Sequence, residues 1–160
     1  MAVTVKQFSL LDYSLSITLK TFANETTGTK LNIPIGGSGK YLGSIKFAKS
    51  TENISKTVDA TGAGVFAFTN DHSGTVDIEI SQVSDAIGQI INNLSNKYHT
   101  DGTWKNAIVD IVMSKGDGGT VIEATNCMLV KMPDLEIGSE VATRTFSFLA
   151  MEIKEKSFVY

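Results

Sequence analysis

The stretch of residues 73–132 decides the fold, and it reads SGTVDIEISQVSDAIGQIINNLSNKYHTDGTWKNAIVDIVMSKGDGGTVIEATNCMLVKM. Within it, large apolar and polar residues alternate strictly over residues 75–81. Successive side chains of a β-strand point to opposite faces, so this pattern predicts a strand with one buried face. The residues expected inside are Val76, Ile78 and Ile80, and those expected outside are Thr75, Asp77 and Glu79.

One short amphipathic helix is predicted after this strand. Ser84 is a suitable N-cap, and Asp85 falls in the first turn, where the helix dipole favours an anion. Apolar residues then recur at spacings of three, one and three, namely Ile87, Ile90, Ile91 and Leu94. These spacings place them on one helical face.

Two long strands complete the stretch. Residues 104–114 and 120–132 are the predicted strands, and Lys115-Gly-Asp-Gly-Gly119 between them is typical of a hairpin turn. Pro133 and Asp134 are expected to end the second strand, because proline has no N–H to donate to a sheet.

Further strands are predicted on both sides of this stretch. Residues 13–22 alternate large apolar with hydroxyl side chains, which indicates a half-buried strand. Its inner face would carry Tyr13, Leu15, Ile17 and Leu19, and its outer face Ser14, Ser16 and Thr18. The last strand covers residues 142–153, with Phe146, Phe148 and Ala150 on one face and Thr145, Ser147 and Leu149 on the other.

The first half of the chain contains three more predicted features. Residues 44–49 and 54–58 are expected to pair as a hairpin across a turn at residues 51–53, and residues 65–69 form another strand. Residues 23–43 are rich in Gly, Thr, Asn and Lys. They are too many for an ordinary connection and too polar for a core, which predicts a functional loop or a segment ordered by a partner.

These elements predict a mainly β fold. The strands follow one another without repeated β-α-β crossovers, which favours an antiparallel β-barrel or sandwich of about seven or eight strands with one flanking α-helix. We expect a single domain over residues 1–160, with an extended loop at 23–43.

Composition excludes several classes of function. The net charge is −3, and Arg144 is the only arginine among 160 residues, which argues against binding nucleic acid through its phosphates. Cys127 is the only cysteine and has no partner for an internal disulfide. No apolar run approaches the length of a membrane span, and no secretory signal pattern begins the chain, so we expect cytosolic synthesis.

The sequence contains no recognisable set of catalytic, cofactor-binding or metal-binding residues. His72 and His99 lie in polar turn-like stretches without a second ligand at metal-site spacing, and Cys127 lies within an apolar strand. The acidic residues fit outward strand positions or turns, and they are Asp71, Asp77, Glu79, Asp85, Asp110 and Glu123. Gly36-Gly-Ser-Gly39 and Gly116-Asp-Gly-Gly119 lack the Gly-Lys-Thr/Ser ending and the strand-loop-helix context of a phosphate-binding loop. We therefore expect a protein without enzymatic activity or cofactor.

Three features of the chain occur in a characteristic order: Gly43-Ser-Ile-Lys-Phe47, residues 54–64, and the turn Asn70-Asp-His-Ser-Gly74 leading into an alternating strand and a Ser-capped helix. This order resembles that of the tail tube proteins of contractile-tailed phages. It continues through Met128-Leu-Val-Lys-Met-Pro-Asp134 and the final strand after Glu140.

The resemblance implies a structural subunit that assembles with itself. Proteins of this type, like the similar type VI secretion tube protein, form hexameric rings that stack into a tube. The implied partners are further copies of the chain, sheath, baseplate and tail terminator proteins, with DNA passing through the lumen unbound and no membrane. The implied location is the virion tail, assembled in the host cytoplasm.

Three alternatives and one finer hypothesis remain at this point. The same architecture could form the tube of a headless bacteriocin or of a secretion-type particle, and Trp104 could instead serve a small carbohydrate-binding β-sandwich. If the chain is a tube subunit, the outer faces with Asp77 and Glu79, or with Ser14, Ser16 and Thr18, are expected to line the channel, where polar or acidic residues would repel phosphates.

Overall fold

The computed structural model describes residues 13–20, 30–34, 42–82, 87–88, 108–115 and 119–156. Most of the described chain is strand. The strands are β1 (Tyr13–Lys20), β2 (Lys30–Pro34), β3 (Leu42–Lys49), β4 (Ile54–Val58), β5 (Gly64–Phe68), β6 (Gly74–Ser81), β7 (Ile108–Lys115), β8 (Thr120–Leu129) and β9 (Thr143–Glu155).

Seven of these strands form one antiparallel sheet, in the order β2-β1-β7-β8-β9-β6-β3. The sheet curls into a half-barrel. β4 and β5 form a separate two-stranded ribbon between β3 and β6. The predicted mainly β, antiparallel fold is therefore confirmed. Within the described residues, no helix has the length and hydropathy needed to span a membrane.

The hydrophobic core lies on one face of the seven-stranded sheet. β6 shows the predicted alternation without exception, with Val76, Ile78 and Ile80 buried and its other side chains half-buried. In β1 the buried residues are Tyr13, Leu15 and Ile17, and in β9 they include Phe146, Phe148 and Ala150, as predicted. In these three strands the side chains between the buried ones lie on the opposite face, which is mostly polar but also carries the exposed Leu149 of β9.

The predicted hairpin between residues 44–49 and 54–58 is wrong. β3 pairs with β6, where Ile45 and Phe47 lie opposite Ile78 and Val76 and pack against the core. β4 pairs with β5 instead, across a turn in which the Asp59 carboxylate accepts hydrogen bonds from the backbone of Thr61 and Ala63. Gly62 completes this turn with a φ of 88°, which glycine adopts without strain.

Several predicted boundaries also change. β2 lies inside the segment 23–43, to which the sequence assigned no strand, and pairs with β1. β8 ends at Leu129 rather than at residue 132. Of the predicted helix, only Ile87 and Gly88 are described; both are helical, and Ile87 belongs to the core. Ser84, Asp85 and the later helix residues lie outside the described residues, as do residues 104–107 and the hairpin tip at 116–118.

Candidate assembly surfaces

The polar face of the sheet is the first candidate surface. Across β3, β6 and β9, Lys46, Asp77 and Ser147 lie side by side in register. In the neighbouring row Glu79 lies opposite Thr145, and the Ser44 hydroxyl donates a 3.3 Å hydrogen bond to the Glu79 carboxylate. This part of the face is therefore hydrophilic and carries both carboxylates that the sequence placed on the channel.

The second predicted set of channel residues lies on the same face. Ser16 and Thr18 of β1 are in register with Val112 and Asp110 of β7, and Ser14 is exposed beside Ser114. The sequence offered the sets on β6 and β1 as alternatives. Because Val76, Ile17 and their alternating neighbours all belong to one buried cluster, the side chains between them share the opposite face.

The margins of the sheet are the second candidate surface. Among the described strands, β2 pairs only with β1, and β3 pairs only with β6. The outer sides of β2 and β3 thus have no strand partner among the described strands, and backbone N–H and C=O groups in such a position can pair with a strand from another chain.

The β4–β5 ribbon is the third candidate surface. Every side chain in both strands is exposed. The register puts Ile54 opposite Phe68 and Lys56 opposite Phe66, with Val58 following on the same side. One face of the ribbon is therefore apolar around a single lysine, and we call it the apolar ribbon face. The other face carries Ser55, Thr57, Val65 and Ala67.

The connection between β8 and β9, residues 130–142, is the fourth candidate surface. It exposes the large apolar side chains of Val130, Leu135, Ile137 and Val141. The Arg144 guanidinium donates a 2.7 Å hydrogen bond to the Pro133 carbonyl, and the Gln82 side-chain amide donates a 2.6 Å bond to the Glu136 carbonyl. These bonds hold the exposed connection against the end of the sheet. Between Glu136 and Ala142 it forms an open cleft of about 320 Å³.

Arg144 is a structural residue that the sequence analysis counted but did not place. Only 8% of it is exposed, and its guanidinium lies over the Phe146 ring, 5.8 Å from the ring centre. Its Nε is buried without a hydrogen-bond partner. The single arginine therefore anchors the β8–β9 connection instead of presenting charge to a ligand.

The described residues among those considered for chemistry do not converge on a site. Cys127 is buried, as predicted, and His72 is exposed. Within the described ranges, no group of three or more His, Cys, Asp or Glu residues could hold a metal ion. His99, Trp104 and Asp85 lie outside the described residues.

Two aspartates have lowered pKa values, and both stabilise the ribbon. Hydrogen bonds from the Ser73 side chain and backbone, and then from Thr51, lower the pKa of Asp71 at the base of the ribbon. The Thr61 side chain and backbone are the main causes that lower the pKa of Asp59 at the tip. These carboxylates act as caps of turns, which is a structural role.

The sequence analysis missed the apolar ribbon face. The alternation of Ile54, Lys56 and Val58, and of Phe66 and Phe68, is visible in the sequence. Alternation alone indicates a strand with one apolar face, but it does not show whether the rest of the chain covers that face.

Comparison with known proteins shows the family and the fold of the chain. The model of the family described as "Bacteriophage PhiTE tail tube protein" matches residues 9–157. A search of curated proteins gives no match.

Solved structures with a similar fold come from contractile particles. The chain is similar to a protein in the structure of the anti-feeding prophage tube-terminating cap, with a TM-score of 0.56, 12% identity, and coverage of 99% of this chain and 96% of the other. It is also similar to a protein of the PVC sheath/tube terminator, with a TM-score of 0.57, 10% identity, and coverage of 97% and 100%. It is similar as well to a protein of the PVC sheath-tube complex, with a TM-score of 0.54, 10% identity, and coverage of 95% of this chain and 93% of the other. At these identities the likeness shows a shared fold.

Proposed function

This chain belongs to the family of the bacteriophage PhiTE tail tube protein and is a structural tail tube subunit, and we propose that its copies assemble into hexameric rings that stack into the DNA-conducting inner tube of a contractile tail. In this proposal the chain is a single domain over residues 1–160 and has no enzymatic activity or cofactor. The working unit is the assembled ring.

Within the described part of the chain the half-barrel sheet has two margins without a strand partner, and this observation supports ring formation. An exposed strand edge in a soluble monomer is an aggregation hazard, whereas an edge completed by an identical neighbour is removed. β2 and β3 lie at opposite margins of the same sheet. Pairing β2 of one copy with β3 of the next therefore joins unlike surfaces, and such a heterologous contact closes into a ring when the rotation is correct.

The polar face of the sheet is suited to line the lumen. A sheet that continues around the ring turns one face toward the axis. The face opposite the core carries Asp77, Glu79, Ser14, Ser16 and Thr18 together with Lys46 and the exposed Leu149, and it lies away from Ile87 on the core side. Carboxylates there would repel the DNA phosphates, and hydroxyls carry no charge to attract them, so that DNA passes without being bound.

The proposed partners are the other parts of a tail. Similar folds occur in structures titled as a tube-terminating cap, a sheath/tube terminator, a sheath-tube complex and a baseplate. We extend to this chain contacts with a sheath, a terminator and a baseplate, assembly in the host cytoplasm and a final place in the virion tail. A tube of a headless injection particle would use the same contacts, and a DNA-filled head in the purified particle distinguishes the phage.

Electron microscopy of the concentrated protein tests the assembly. We expect rings or tubes with six-fold symmetry, formed by the protein alone or on its baseplate. The proposal is overturned if the chain remains a monomer at every concentration and in the presence of the baseplate. A six-fold ring with Asp77 and Glu79 on its outer surface would leave the tube in place and refute the lumen assignment.

A further inference from the structure

Exposed apolar side chains are concentrated at two places in the described chain. Of eleven exposed large apolar residues, five lie in the β4–β5 ribbon and four in the β8–β9 connection. Phe68 is 76% exposed and Ile137 is 86% exposed. Four of the five ribbon residues lie on the apolar ribbon face, and large exposed apolar patches mark interaction sites.

These two surfaces lie at opposite ends of the sheet. The ribbon leaves the sheet where β3 ends and β6 begins, and a 3.1 Å backbone hydrogen bond from Ser50 to Ser73 closes its base. The β8–β9 connection lies where β6 ends and β9 begins, since Gln82 donates a backbone hydrogen bond to Ala142. β6 has eight residues, so the two surfaces are separated by about 23 Å along the strands.

The two surfaces are complementary in charge. Lys56 is the only charged side chain on the apolar ribbon face. The connection carries three carboxylates, on Asp134, Glu136 and Glu140, against one lysine, Lys131. No ion pair to Lys56 or to these three carboxylates is seen among the described residues. A lysine next to phenylalanines forms its most favourable ion pair with a carboxylate on a surface that also contacts those apolar side chains.

We propose that the apolar ribbon face of one copy docks on the β8–β9 connection of the next copy along the tube. The inference rests on the proposed function, because it requires assembly of identical copies. Edge pairing between β2 and β3 extends the assembly in the hydrogen-bonding direction, which is perpendicular to the strands. Contacts at the two strand ends extend it along the strands, so they join one ring to the ring above it.

In this contact the apolar ribbon face supplies the inserted side chains, and the β8–β9 connection supplies the surface that receives them. Phe66 and Phe68 are aromatic side chains of the kind that dominate binding free energy at interfaces. The connection is held to the sheet by the hydrogen bonds from Arg144 to the Pro133 carbonyl and from Gln82 to the Glu136 carbonyl. Lys56 then lies within reach of the carboxylates that flank Leu135 and Ile137, and we assign Glu136 as its partner.

Substitution of either surface tests the contact in the full-length protein. Phe66→Ser/Phe68→Ser and Leu135→Ser/Ile137→Ser are each expected to raise the concentration needed for tube formation at least about tenfold, while single rings persist. Val65→Ser on the opposite ribbon face is the matched control and should leave tube formation unchanged. Sedimentation measures the assembled fraction, and negative-stain images distinguish rings from tubes.

The charge pair provides a test that does not depend on removing apolar side chains. Lys56→Glu and Glu136→Lys should each weaken stacking, and the combined variant should restore most of it. In tubes of the variant Lys56→Cys/Glu136→Cys, a bismaleimide crosslinker should join residues 56 and 136 of different copies, because Cys127 is buried.

The outcomes separate this inference from the proposed function. Rings that stack normally in both serine double variants overturn the docking contact and leave the tube subunit intact. If only the ribbon variants lose stacking, the ribbon docks elsewhere and the assignment of its partner is overturned. A wild-type protein that forms neither rings nor tubes overturns both.

Discussion

At the scale of single residues, Asn126 explains an irregularity in β8 that period-two reasoning could not predict. Val109 and Ile111 of β7 lie opposite Cys127 and Ala124, so two residues of β8 face one of β7. Asn126 takes a φ of 52°, and its backbone N–H donates a 3.0 Å hydrogen bond to the Asp110 carboxylate. This bulge allows Ala124 and Cys127, three positions apart, to enter the same core.

The stability of variants at Asn126 should depend on how easily the new residue adopts a positive φ. Asn126→Gly is expected to leave the free energy of unfolding nearly unchanged, because glycine adopts this conformation freely. Asn126→Val should cost about 1–2 kcal/mol, since a β-branched side chain clashes with the backbone there. Urea unfolding followed by circular dichroism measures both, and equal stabilities would contradict the bulge.

Gly74 is a second position where we expect a single substitution to affect stability, because the fold leaves no room there for a Cβ atom. A Cβ at this position would collide with the Ala48 carbonyl oxygen and the Ile153 side chain, whereas at Gly138 it would meet nothing within 4 Å. Gly74→Ala is therefore expected to destabilise the fold by about 1–3 kcal/mol through overpacking. Gly138→Ala is the matched control for the unfolding measurement and should change stability by less than about 0.5 kcal/mol. A Gly74→Ala protein as stable as that control would show that β3 and β9 do not pack closely at this point.

At the scale of elements, the alternating strands were predictable and their pairing was not. β1, β6 and β9 each bury one face, and the alternation of apolar and polar residues predicts which face is buried. The partner of β4 depends instead on the turn from Asp59 to Gly62, whose Asx chemistry outweighs the shorter polar turn at 51–53. β2 escaped notice because an edge strand with few apolar residues, ending at Pro34, has a weak pattern.

The turn of the ribbon should depend on pH through Asp59. Hydrogen bonds from Thr61, first from its side chain and then from its backbone, lower the pKa of this carboxyl below the ordinary value of 3.8. A depressed folded-state pKa stabilises the turn above pH 3.8, and this stabilisation is lost as the pH falls through the lower, folded value. The Thr61 and Ala63 amide NMR shifts should therefore titrate with a midpoint below 3.8, and Asp59→Asn should abolish the transition. A midpoint at or above 3.8 would contradict the turn geometry.

At the scale of the whole molecule, the described part of the half-barrel has two margins and two strand ends that could each make a different contact. The sequence could not indicate them, because exposure is a property of the assembled sheet: the same alternation of Phe66 and Phe68 would describe a buried strand. Family membership explains why a chain of this size keeps such surfaces uncovered. In the proposed tube they are covered when identical copies assemble, laterally through β2 and β3 and axially through the ribbon.

The charge of the polar face is the property of the assembled tube that is most open to test. Replacing Asp77 and Glu79 with lysine exchanges two carboxylates for two cations in every copy, without touching the core or the proposed contacts. If this face lines the lumen, Asp77→Lys/Glu79→Lys tubes should bind DNA at low salt, and the logarithm of affinity should fall linearly with the logarithm of salt concentration, by roughly 0.7–0.9 per phosphate contacted. Particles carrying the variant should also release their DNA more slowly. Glu52→Lys/Glu155→Lys adds the same charge away from that face, so equal DNA retention by the two variants would show that net charge, and not the position of Asp77 and Glu79, controls passage through the tube.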